Sequence, residues 1–170
     1  MKGMIIYKGK YGATRQYAIW LGTALELPVE QAGSETAEQL ADADYVIMGA
    51  SVYMGKLQMK SWMKENLTFL STKKLYLFVV SGTPLDDVNR LQEYVKNNVP
   101  EELRSRVECF FFPGKLEFNK LSLKDKLLLK IGAWLSKGSE KDKVQLSDYN
   151  KVNRLNIARL VEVAAYQKVA

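Results

Sequence analysis

Apolar residues recur along the chain in two alternating patterns. Short, nearly continuous apolar runs lie at 4–7, 45–50, 75–80 and 107–112, as expected of strands buried on both faces of a parallel sheet. A weaker run at 27–31 contains Pro28, which predicts an edge strand, where a missing N–H does little harm. Between these runs the apolar spacing is helical. The segment 14–26 offers Tyr17, Ile19, Trp20, Leu21, Ala24 and Leu25 for burial, and 59–70 offers Met59, Trp62, Met63 and Leu67. The segment 88–99 offers Leu91, Val95 and Val99, and 149–166 offers Val152, Leu155, Ala158, Leu160 and Val163. This alternation predicts an α/β fold, a five-stranded parallel sheet of order 2-1-3-4-5 with helices on both faces. A ligand is then expected at the switch point beside the first strand. With 170 residues and no repeat or linker, the chain is expected to form a single domain, 1–170, with a basic insertion around 113–145.

Three strand-to-helix loops fall at the edge where such sheets bind ligands. The first is Lys8-Gly9-Lys10-Tyr11-Gly12-Ala13-Thr14. Its glycines let backbone N–H groups approach an anion, and the following helix adds a partial positive charge. Thr14 supplies a hydroxyl, and Lys8 and Lys10 supply charge, so the loop suits a phosphate. It is neither a Walker A motif nor G-x-G-x-x-G. The second loop is Ala50-Ser51-Val52-Tyr53-Met54-Gly55-Lys56, where an aromatic ring can stack on a flat ligand or simply cover the core. The third, Ser81-Gly82-Thr83-Pro84-Leu85-Asp86-Asp87, offers small polar contacts from Ser81, Gly82 and Thr83. Pro84, Asp86 and Asp87 read as a helix start, which explains both carboxylates without catalysis.

Composition narrows the chemistry. The chain has no histidine and one cysteine, Cys109. That excludes an internal disulfide, a Cys/His zinc site and His-dependent nucleophilic catalysis. Chemistry must come from carboxylates, Lys, Tyr, backbone dipoles or a cofactor. The N-terminal run is too short for a signal peptide and no apolar stretch is long enough to span a membrane, so a cytoplasmic protein is expected.

The loops also carry a resemblance. Tyr7 to Thr14 resembles the phosphate loop of the flavodoxins, and Gly49 to Lys56 resembles their second loop. Both look like the flavodoxin-like subgroup that includes menaquinone-dependent protoporphyrinogen oxidase. The likeness continues through Phe112-Pro113-Gly114-Lys115-Leu116-Glu117-Phe118 and Lys120 to Lys126 into that subgroup's characteristic insertion. It implies a three-layer flavodoxin-like sandwich with FMN, its phosphate at Gly9 to Thr14. The isoalloxazine ring would lie between Ser51 to Lys56 and Ser81 to Thr83. Gly9 departs from the pattern, since family members commonly carry a hydroxyl residue there, and a phosphate contact is expected to be lost or replaced by Lys8 and Lys10. In flavodoxins a peptide beside a glycine can present a carbonyl to the flavin N5, and Met54-Gly55 stands in that place. The activity implied is an FMN-dependent oxidoreductase, and the subgroup likeness implies protoporphyrinogen as substrate with a quinone acceptor. The alternatives are an electron carrier between redox proteins and a flavodoxin-like module without catalysis.

The net charge is +6, and residues 104–145 hold ten Lys and Arg against five Asp and Glu. Within them Ser122 reads as a helix cap. Leu127, Leu128, Ile131, Trp134 and Leu135 follow at helical spacing among Lys120, Lys124, Lys126, Lys130 and Lys137. Such a basic amphipathic segment, 120–137, packs on its own sheet, docks a redox partner or touches a membrane surface peripherally. Nucleic acid is not expected as a partner, because the lysines join no recognisable binding motif.

Overall fold

The computed structural model describes residues 1–127 and 148–169. The chain divides into two compact units, Met1–Gly114 with Val152–Ala170, and Lys115–Lys151. The strands of the larger unit are β1 (Gly3–Lys8), β2 (Val29–Gln31), β3 (Tyr45–Tyr53), β4 (Lys56–Leu57), β5 (Lys74–Ser81) and β6 (Val107–Pro113). Five are parallel in the order β2-β1-β3-β5-β6, while β4 folds back antiparallel on β3. Counted along the parallel strands alone, this is the expected 2-1-3-4-5 order. Pro28 lies just outside the edge strand β2, and its carbonyl accepts from Ile5 N at 2.9 Å.

Alternate residues of each strand enter opposite cores, so both faces of the sheet need helices. On one face Ile5, Ile47 and Phe78 pack with Tyr17, Ala18 and Leu21 of α1 (Ala13–Leu25). On the other, Ile6, Met48 and Leu77 pack beneath the helices that follow β2, β3 and β5. Those are α2 (Ala37–Asp42), α3 (Lys60–Glu65), α4 (Leu67–Leu70), α5 (Val88–Asn98) and α6 (Glu101–Arg104). The last helix, α7 (Ala158–Val169), joins α1 on the first face through Leu160 and Ala164. Gly49 is needed between the layers, because a side chain there would run into the Phe78 ring.

Three helix expectations change. The helix expected over 59–70 is two, broken at Asn66, whose side-chain amide donates to Trp62 O at 2.9 Å. Asn competes with helix propagation in this way. The helix expected over 149–166 begins only at Ala158. Tyr149 and Asn150 form a strand instead, and Asn153 caps a 3₁₀ turn (Arg154–Ile157) by accepting from Leu155 N at 3.0 Å. Leu155 and Ala158 are accordingly exposed, and Ile157, Leu160 and Ala164 take the buried positions. In α1, Ala18 rather than Ile19 or Ala24 shares the buried face with Tyr17, Leu21 and Leu25.

In the smaller unit β7 (Lys115–Leu116) pairs antiparallel with β8 (Tyr149–Asn150), and Phe118 N donates to Asp148 Oδ1 at 2.7 Å. Ser122 caps the helical turn that follows, accepting from Asp125 N at 3.2 Å as expected. Leu128, Lys130, Ile131, Trp134, Leu135, Lys137 and the polar stretch 138–143 lie outside the described residues. Among the described residues no helix is long and apolar enough to cross a membrane.

Candidate functional site

The register brings the three expected loops to one edge. Lys8 pairs with Ala50, Ser51 with Val80, and Ser81 with Pro113, so adjacent strands end nearly level. In the first loop Gly12 is the N-cap of α1 at φ 83°, a left-handed conformation that glycine adopts without cost. The first turn of α1 therefore opens directly from the loop, its N–H groups and dipole directed at the sheet edge. Thr14, in that turn, is 1% exposed and its Oγ1 has no hydrogen-bond partner.

Gly9 explains how Thr14 is placed. A Cβ at position 9 would stand 2.5 Å from Thr14 Oγ1 and 2.6 Å from Thr14 Cβ. A hydroxyl residue at position 9 is thus sterically incompatible with Thr14 where it stands. The departure from the family pattern is matched to this loop rather than being a simple loss.

Lys10, expected to supply charge to the phosphate, lies between two aromatic rings. Its Nζ lies 4.5 Å from the Tyr53 ring centroid and 5.5 Å from that of Tyr11. The ammonium thus links the first loop to the second through two aromatic faces, an arrangement worth about 0.5–1 kcal/mol at an exposed site. Lys8 is exposed at the end of β1, and Ala13 is buried at the start of α1.

The second loop is a two-residue hairpin, with Tyr53 paired to Lys56 and positive φ at Met54 (50°) and Gly55 (72°). These angles define a type I′ turn. Ser51 donates to Gln58 Oε1 at 2.6 Å, and Ser51 O accepts from Gln58 N at 3.1 Å, so its hydroxyl is engaged within the protein. Val52 is half-buried against the core, whereas Met54 is 63% exposed. The carbonyl of Gly55 accepts from Asn98 Nδ2 at 3.1 Å.

In the third loop Ser81 is buried and its Oγ has no partner, while Ser81 O accepts from Gly114 N at 2.7 Å. Gly82 is exposed. The Thr83 hydroxyl shares a 3.0 Å hydrogen bond with Tyr94 OH, which also accepts from Arg90 Nε at 3.2 Å. Asp87 accepts from Arg90 N at 3.3 Å and caps α5, the structural role its position suggested.

Gln58, Tyr94 and Asn98 were not foreseen as parts of the site. Gln58 and Tyr94 leave no sequence signal, because their partners lie on other elements. Asn98 does leave one: it continues the apolar stripe of Leu91 and Val95, at a position where a polar residue needs a partner. Burial and then the neighbouring Glu108 push the Cys109 thiol up to about 11, which disfavours the nucleophilic thiolate. Among the described residues no cluster of acidic and cysteine side chains could hold a metal.

A doubly wound parallel sheet with its loops gathered at the switch point defines a class of nucleotide- and flavin-binding proteins. Residues 4–143 match the family model described as flavodoxin domain, and the chain belongs to that family. Membership implies FMN as the bound group. No curated protein matches the sequence. Among solved structures the fold is similar to oxidised flavodoxin 2 from Bacillus cereus, with TM-score 0.53 and 15% identity, covering 99% of each chain. It is also similar to Smu.1420 from Streptococcus mutans UA159, with TM-score 0.51 and 15% identity, covering 76% of this chain and 94% of that one. Identities this low speak to the fold alone. The residues present fit FMN on the structure's own terms. The buried hydroxyls of Thr14 and Ser81, in the first and third loops on either side of β3, lack partners, and the α1 N-terminus opens at Thr14. Hydroxyls buried without partners are costly unless a ligand uses them.

Proposed function

We propose that this protein is an FMN-dependent oxidoreductase of the menaquinone-dependent protoporphyrinogen oxidase-like subgroup. The observation that carries the cofactor site is the unpartnered Thr14 hydroxyl beside Gly9 and the N-terminus of α1. In this reading Gly9, Gly12, Ala13 and Thr14 hold the phosphate through backbone N–H groups and one hydroxyl. Tyr53, Met54 and Gly55 lie against one side of the ring, and Ser81, Gly82 and Thr83 meet its polar edge. Bound FMN would supply one- and two-electron redox chemistry that no side chain here can perform. The proposed reaction removes two hydrogens from a protoporphyrinogen-type substrate in each round and delivers them to one quinone. The substrate class rests on the sequence resemblance, supported by the basic charge of +6. Quinone access from a membrane surface is supported in the smaller unit by Leu123 (85% exposed) and Leu127 (59%), one helical turn apart among Lys120, Lys124 and Lys126.

A second reading, an electron carrier between redox proteins, is favoured by one observation. Met54, Leu85 and Val88, in and just after the site loops, expose large apolar side chains as a docking surface does. The loss of flavin binding is opposed by the match between Gly9 and Thr14.

The test begins with the visible absorption of the purified protein and titration of the apoprotein with FMN and riboflavin. A strong preference for FMN supports the phosphate loop. Turnover of protoporphyrinogen with a menaquinone analogue then supports the oxidase. Rapid reduction by a flavodoxin reductase without that turnover supports the carrier, and a colourless protein that ignores both flavins sinks both readings.

A further inference from the structure

The 53–56 turn is held in a demanding shape. Met54 has φ 50°, a left-handed conformation that costs a residue with a side chain about 1–2 kcal/mol. It is also largely exposed, so packing of its own side chain does not hold it there. Asn98, at the last position of α5 and 3% exposed, reaches the turn from the body of the protein.

Both protons of the Asn98 amide are committed. Nδ2 donates to Tyr94 O, one turn back in its own helix, at 2.9 Å, and to Gly55 O at 3.1 Å. The first bond orients the amide and the second spends it on the turn. Asn98 thus fixes the peptide between Gly55 and Lys56. Helix α5 reaches the third loop as well, through the hydrogen bond between Tyr94 and Thr83. One helix therefore holds both loops assigned to the ring.

We infer that Asn98 is a positioning residue for the flavin: by pinning the Gly55 carbonyl it sets the shape of the turn that lies against the ring. This rests on the cofactor site proposed above. Replacing Gly55 itself tests the turn poorly, because φ 72° strains any side chain there. Asn98 changes the turn's anchor without changing the turn.

The experiment compares the wild type with Asn98→Ala and with Asn98→Asp, which keeps the shape but removes the donor. Three quantities are read: amide exchange at Gly55 and Lys56 in the apoprotein, dissociation constants for FMN and riboflavin, and the separation of the two one-electron potentials. Thermal unfolding checks that each variant folds. The expected result is exchange about tenfold faster at the turn and an equal loss of about tenfold for both flavins, the equivalent of about 1.4 kcal/mol. The potential separation shifts, which a purely structural role would not produce. Unchanged exchange and potentials in folded variants overturn the inference, as does a loss confined to FMN, which would place Asn98 on the phosphate side. A wild type that binds neither flavin overturns the cofactor site and Asn98's role toward the ring together. The exchange data then decide alone whether Asn98 pins the turn.

Discussion

The phenolic hydroxyl of Tyr17 donates to the carbonyl oxygen of Pro113 at 2.9 Å. The Tyr17 phenolic oxygen itself accepts from Asn156 Nδ2 at 3.0 Å and from Asn153 N at 3.3 Å. Three distant pieces of chain meet on one atom: the helix that leaves the first loop, the end of β6, and the approach to α7. The ring also lies 4.9 Å from that of Phe112. Burial raises the hydroxyl's pKa, and the Asn156 and Asn153 donors oppose that rise. Tyr17 thereby anchors α1, and with it the first loop, to the opposite edge strand.

Tyr17→Phe keeps the ring and removes this junction, leaving Pro113 O, Asn156 Nδ2 and Asn153 N short of a partner. A loss of about 1–3 kcal/mol is expected. Urea denaturation should show a lower midpoint with an unchanged slope. Equal midpoints would mean that water replaces the phenol without cost.

Gly9 and Thr14 form a matched pair, so restoring the family's hydroxyl at position 9 should harm the site. Gly9→Ser is expected to weaken FMN at least tenfold while leaving riboflavin nearly unchanged, because the collision is with Thr14. Thr14→Val should also weaken FMN, yet it should stabilise the apoprotein by about 1 kcal/mol by removing an unpartnered buried hydroxyl. Isothermal titration and thermal unfolding read the two effects separately. Tighter FMN binding by Gly9→Ser would refute the pairing.

The parts of this fold legible in the sequence are those set by burial. Continuous apolar runs such as 45–50 and 75–80 mark strands covered on both faces, and the rules of crossover handedness leave few ways to order them. The loops follow from the strand ends, so the placement of Thr14, Tyr53 and Ser81 at one sheet edge is legible in the sequence. What was not legible depends on distant partners. Asn66 breaks a helix by using its own side chain, and Tyr149 joins a strand because residues 115–116 offer an edge. The ring-face position of Lys10 arises from Tyr53, forty-three positions further along the chain. Local spacing carries no information about such pairs.

Lys10 and Tyr53 should show energetic coupling. A cycle of Lys10→Gln, Tyr53→Leu and the double variant is expected to give an interaction of about 0.5–1 kcal/mol in apoprotein stability. If the ammonium serves the ring side, Lys10→Gln costs FMN and riboflavin the same factor. A loss seen with FMN alone would return Lys10 to the phosphate, as the sequence first suggested.

The Cys109 thiol makes the stability of the fold depend on pH in the alkaline range. It is raised from an ordinary 9.0 to about 11 in the folded protein, mainly by burial. Alkylation of the native protein at pH 8 should therefore be slow, and should accelerate only as pH approaches 11, whereas the unfolded chain reacts at its ordinary value. Because the folded state holds this proton more tightly, its contribution to stability is fully present below pH 9. It is lost as pH rises from 9 to about 11, when the unfolded chain ionises first. A shift of this size corresponds to about 2–3 kcal/mol. Burial raises the hydroxyls of Tyr17, Tyr45, Tyr76 and Tyr149 in the same direction, so the whole protein should weaken in alkali. Cys109→Ala isolates the thiol's share: its stability should fall less steeply between pH 9 and 11 than that of the wild type. Parallel curves for the two proteins, or rapid alkylation at pH 8, would show that Cys109 is not held in the protonated state by its surroundings.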